Sequence, residues 1–152
     1  MMTLYKLLHV LAVVVWVGGM FFSYVVLRPA VGQSLKLPER MRLWDRVLRR
    51  FFKLVWLAVF LLLSTGFYLI YLFGGMGAMP PFVHAMTLSG VAMMGIFVYL
   101  FFARYVHFNQ LVEEKEWHQA EEKLVTMRQL ILLNLLLGML TIAVAIIGRG
   151  TV

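Results

Sequence analysis

Apolar residues fall into four long runs, and polar residues are confined to the gaps between them. The runs cover approximately Leu4–Leu27, Phe51–Phe73, Phe82–Ala103 and Leu130–Gly148. A helix needs about 20 residues to cross the hydrocarbon core of a bilayer, so each run is long enough for one crossing. The first run resembles a signal peptide only superficially. Its apolar core is too long, and Arg28-Pro29 stands where small residues would mark cleavage, so it reads as a retained helix. In the first long gap, Pro38 and Glu39 suit a helix start. Leu43, Trp44, Val47, Leu48 and Phe51 then recur at helical spacing and lead directly into the second run. The second long gap is also expected to be helical, with Glu113 to Glu122, Lys115 and Lys123 forming a solvated charged face without chemistry. The short gap, Gly74–Pro81, ends one helix and restarts the next. Together these elements predict one all-α domain over residues 1–152, an integral-membrane four-helix bundle with up-down connectivity.

Composition agrees with the pattern. The chain is 62% hydrophobic and 14% charged, whereas a soluble domain carries about 25% charged residues. The net charge of +7 could suggest nucleic acid, but the cations sit between apolar runs, which points to membrane topology and anionic lipid and excludes nucleic acid as a partner. Eight Lys and Arg lie between Arg28 and Lys53, and four between Arg104 and Arg128. The opposite side carries only Lys6 and Arg149. The asymmetry places both long gaps in the cytoplasm and both termini outside. No cysteine is present, so disulfides, thiolate metal sites, iron–sulfur clusters and covalent haem attachment are excluded.

Function in such a chain should come from polar groups inside the membrane, which are costly to keep there. The carboxylates all fall in the gaps, which argues against an intramembrane carboxylate relay and leaves histidine. His9 lies roughly 7 Å into the first helix, while His84 lies roughly 3 Å and Met86 roughly 6 Å into the third. All three belong to the same leaflet. His9, Ala12, Trp16, Gly19 and Ser23 share one side of the first helix, a seam expected to face inward. On the third helix, the His84–Thr87–Val91–Gly95 and Met86–Gly90–Met93–Phe97 lines are equally suitable as the interior face. A buried imidazole pair, or an imidazole with a thioether, suits the axial positions of haem b, with His9 as one ligand and His84 or Met86 as the other. Gly18, Gly19, Gly66, Gly90, Gly95 and Gly138 would let a flat macrocycle approach the backbone, or simply allow close helix packing. Met76, Met79, His84 and Met86 form an alternative set, soft donors of the kind that select Cu(I). His107 and His118 read as solvated residues.

Leu8-His9-Val10-Leu11, Val15-Trp16-Val17-Gly18-Gly19 and Leu27-Arg28-Pro29-Ala30 resemble the opening of the copper-resistance-D (CopD) membrane domain, and Arg50-Phe51-Phe52 with Thr65-Gly66 resembles its next helix. The layout is also similar to HemJ-type protoporphyrinogen oxidases. Those proteins have a His-x-Lys segment entering the third helix, where this chain has His84-Ala85-Met86, with Met in place of Lys. The resemblance implies His9 as a haem or metal ligand and a location in the bacterial inner membrane. Three functions follow as expectations. The first is a b-type haem protein in electron transfer or a haem-linked oxidoreductase step, with a quinone or redox protein as partner. The second is a copper-uptake or copper-handling permease. The third is an accessory subunit of a membrane complex. A homo-oligomer is compatible with each.

The charge asymmetry makes a direct prediction. Reporter fusions after Arg46 and Glu116 should report the cytoplasm, and one after Val152 the outer side. A cytoplasmic C-terminus would overturn the arrangement.

Overall fold

The computed structural model describes residues 1–150. It consists of four long helices, α1 (Met2–Ser34), α2 (Leu37–Leu72), α3 (Pro81–Glu113) and α4 (Trp117–Gly150), each long and apolar enough to span a membrane. All four outrun their apolar cores, because the long polar gaps are helical, as the apolar stripe from Leu43 to Phe51 predicts. The helix of that stripe begins at Leu37 with Pro38 in its first turn, where a missing N–H costs nothing. α1 continues past Leu27, through Arg28-Pro29. It does so by widening into a π-helical stretch at Phe22–Leu27, after which Arg28–Ser34 resumes the α-helix. Pro29 therefore sits at the start of a fresh α-helical segment, where it is tolerated. α3 carries a similar π-helical stretch at Leu100–Tyr105.

The two tight connections are made by backbone in the left-handed region. Gly74 and Gly75 have φ of 93° and 87°. Their N–H groups return to the Tyr71 and Ile70 carbonyls at 3.2 and 2.9 Å, capping α2. Between α3 and α4 the reversal falls on Lys115, φ 62°.

The helices associate as two pairs, α1 with α2 and α3 with α4, with α1 also touching α4. The buried side chains are not spread evenly along the pairs. They run from Ala12 to Val31 on α1, Met41 to Val59 on α2, Met93 to Val112 on α3 and Ala120 to Leu135 on α4. This is the half of the bundle that carries the extensions. Here the pairs interlock: Phe52 meets Phe97, Phe101 and Tyr105 edge-on, and Trp16 meets Phe97. Gly138 brings α4 so close to both neighbours that an added Cβ would lie 2.8 Å from Val17 Cγ2 and 3.1 Å from Met93 Cε. At the other end, near the Gly74–Pro81 turn, each pair carries contacts of its own. Tyr5 packs on Tyr68, and Thr141 bonds Ser89 at 2.8 Å. Among the described residues of that half, Thr65 is the one fully buried side chain. Outward positions such as Val14, Phe60, Leu88 and Ile146 are 59–74% exposed. Such surfaces suit lipid, which is as apolar as they are.

The interlocked half is pinned by a carboxylate. Asp45 is 7% exposed and accepts hydrogen bonds from Arg49 Nη2 at 3.0 Å, Asn109 Nδ2 at 3.0 Å and the Tyr105 hydroxyl at 3.3 Å. Two of these donors belong to α3, so Asp45 ties the α2 extension to it. A second tie joins Arg40 to Glu121 across α2 and α4. Glu121 therefore corrects the expectation that the whole Glu113–Glu122 stretch is solvated. Periodicity marks a face, but it does not show which neighbouring helix brings a cation to it. Asp45→Ala would strand two donors on α3 and is expected to cost about 2–3 kcal/mol, read as a lower thermal midpoint in detergent. Arg49 is half exposed, and Arg49→Ala should cost no more than about 1 kcal/mol. Equal losses from the two variants would contradict the assignment of Asp45 as the tie.

Candidate functional site

The seam predicted on α1 faces inward: Ala12, Trp16 and Ser23 are buried, and His9 and Gly19 are half-buried. His9 reaches across to α2, where its Nδ1 lies 2.8 Å from Thr65 Oγ1. The Thr65 hydroxyl is 2.5 Å from the Leu61 carbonyl, one turn back in its own helix. A hydroxyl has one proton, and that carbonyl can only accept, so Thr65 donates to Leu61. It must then accept from His9, which puts a proton on Nδ1, so that in the neutral ring Nε2 keeps its lone pair. A fixed tautomer, with one ring nitrogen anchored and the other presented, is the state in which histidine binds metals. The ring rests against the α2 backbone at Gly66, where an added Cβ would lie 3.5 Å from His9 Cε1.

On α3 the structure chooses between the two candidate faces. Met93 and Phe97 are buried, whereas His84 and Val91 are exposed. The interior line is therefore Met86–Gly90–Met93–Phe97, and Met86 is half-buried on it. His84 lies on the outward line and is exposed, so it does not share the interior face with Met86. Met76 opens the short 3-10 turn Met76–Ala78 and Met79 follows it, both half-buried at the same end of the bundle. His107 and His118 are exposed, as expected of solvated residues. Of the glycines, Gly19 abuts the Phe51 ring, and Gly138 abuts Val17 and Met93. Gly18, Gly90 and Gly95 have nothing beside them. The first two serve helix packing.

Two polar positions in the membrane were not legible as sites. Thr65 looks like a residue paired with a glycine for close packing, and only its place opposite His9 shows its role. Asn134, in the apolar run of α4, is 2% exposed. Its Nδ2 donates to the Met93 carbonyl at 3.3 Å, and its Oδ1 has no partner among the described residues. Asn134 is an isolated amide in an apolar run, and that could have marked it. Among the described residues no three His, Asp or Glu side chains converge.

A family model described as copper resistance protein D matches residues 45–147. The match begins at Asp45 and takes in Arg50-Phe51-Phe52, Thr65-Gly66, Met86 and Asn134. It starts after α1, so the Leu8–Ala30 segment and His9 lie before it. No curated protein and no solved structure matches the chain. Four apolar spans and a family match over more than half the sequence lead to one conclusion: the chain belongs to the copper resistance protein D family of integral membrane proteins.

Proposed function

We propose that this protein handles copper at the membrane, taking Cu(I) as cargo at the end of the bundle marked by the Gly74–Pro81 turn. The observation that carries the reading is the His9–Thr65–Leu61 relay, which anchors Nδ1 of the imidazole and leaves Nε2 without a partner among the described residues. The family match adds the link to copper. Soft thioether donors stand at the same end: Met86 on the interior line of α3, and Met76 and Met79 on the turn. Imidazole with thioether is a donor set that favours Cu(I) over harder ions. A site of this kind needs no converging carboxylates. Placement in a bacterial inner membrane with the termini outside would put the turn and His9 on the outer side, where incoming copper is met.

Cells producing the protein should accumulate more copper than cells without it. His9→Ala should return accumulation to background at equal membrane abundance. Thr65→Val removes the acceptor that fixes the tautomer, and should weaken the apparent copper affinity about 10- to 100-fold. Met76→Leu with Met79→Leu should lower uptake, because leucine keeps the bulk and lacks the sulfur. Unchanged copper accumulation in His9→Ala would remove the proposal. A second reading uses the same lone pair: b-type haem with His9 as one axial ligand and Met86, now on the interior line, as the other. Purified protein with a low-spin haem spectrum that His9→Ala abolishes would favour that reading, together with a quinone or redox-protein partner.

A further inference from the structure

At the extension end, opposite to the His9 site, a cleft of about 570 Å³ opens between α1, the start of α2 and α4. Its walls include Arg28, Arg40 and Arg128, with Glu121 as the one carboxylate. Its volume is within the range of about 300–1,000 Å³ usual for small-molecule sites. Glu121 is already bonded to Arg40. Arg28 and Arg128 have no ion pair or hydrogen bond among the described residues. Each is instead held by an aromatic face, Arg28 with its guanidinium carbon 5.0 Å from the Tyr24 ring centroid and Arg128 5.1 Å from that of Trp44. A cation–π contact holds a guanidinium near the ring without using its N–H donors, which stay available to an acceptor. The Nε groups of Arg40 and Arg128 are buried and unpartnered among the described residues. Buried donors without acceptors are rare, and three guanidinium groups around one cavity repel one another. An anion offering several acceptor oxygens would relieve both conditions, and phosphate oxygens match the guanidinium fork.

The position of the cleft narrows the anion further. Arg28 is the first residue after the apolar run of α1, and Arg128 lies two residues before that of α4. The cleft is therefore at the level where hydrocarbon gives way to headgroups. Below it on α1, Phe21, Phe22, Val25 and Val26 are 47–54% exposed, an apolar track leading from the cleft into the membrane. Val25 itself lines the cleft. The π-helical stretch Phe22–Leu27 contains Tyr24, the residue on which Arg28 stacks.

We propose that this cleft binds the phosphate headgroup of an anionic phospholipid, gripped by Arg28, Arg40 and Arg128, with its acyl chains along the Phe21–Val26 face of α1. The test is native mass spectrometry of the full-length protein from micelles holding equimolar phosphatidylglycerol and phosphatidylcholine. Wild-type protein should retain phosphatidylglycerol at least about fivefold over phosphatidylcholine, and Arg28→Gln with Arg128→Gln should abolish the preference. Arg46→Gln with Arg50→Gln removes the same charge from an exposed face elsewhere and should leave the preference intact. Arg128→Lys keeps the charge without the fork and should bring the preference down severalfold, which gives a second reading if the double variant does not fold. Equal retention of both lipids by the wild type, or equal losses from the two double variants, would overturn the proposal. Inorganic phosphate is added in a separate arm. If it displaces the lipid at millimolar concentration and raises the thermal midpoint as much as phosphatidylglycerol does, the occupant is a free phosphoanion and the lipid assignment is wrong.

Discussion

Helices with apolar flanks have no hydrophobic reason to choose one another in lipid, since the acyl chains are as good a neighbour as leucine. In this bundle the choice is made by a few polar ties and close approaches. Asp45 is the foremost of them. It gathers Arg49, Tyr105 and Asn109, and so fixes how the α2 extension meets α3. With that register set, Phe52 falls against Phe97, Phe101 and Tyr105, and Gly138 can seat α4 against Val17 and Met93. The aromatic cluster follows from the carboxylate: without a fixed register, edge-on ring contacts have nothing to select them from the alternatives.

The same ties leave the opposite half of the bundle free for chemistry. Few side chains there are fully buried among the described residues, and Thr65, which is, anchors His9. Thr65 meets two demands at once. It satisfies its own proton on the Leu61 carbonyl, as a threonine in an apolar helix must, and it sets the histidine tautomer. A serine in a mobile rotamer would meet the first demand without securing the second.

Much of this architecture was legible in the sequence. Run length and periodicity are enough for four spans, for the helical nature of the first polar gap and for the inward seam Ala12–Trp16–Ser23, because each is a property of one helix. What could not be read depends on which helices become neighbours. Thus α3 offered two equivalent faces until pairing with α4 selected Met86–Gly90–Met93–Phe97, and His84 moved to the outside. Glu121 resembled its solvated neighbours until Arg40 was seen opposite. Asp45 could be counted as one more charge in a gap, since nothing local shows that Asn109, more than 60 residues away, will bond to it. The resemblance itself shifted in the same way. Its most specific residues lie in the first two spans, and the family match falls on the last three.

A bundle interlocked at one end and merely paired at the other is built like a pair of tweezers. Its stiffness resides around Asp45 and the aromatic cluster, and the tips carry His9 on one arm and Met86 on the other. From Met93, buried in the interlocked part, to Met86 is seven residues, about 10 Å of helix, so a tilt of about 5° beyond that part moves this tip by only about 1 Å. The interlocked part thus holds the two tips at a nearly fixed spacing, and any larger opening has to disturb the packing of Phe52 on Phe97 or of Gly138 on Val17 and Met93.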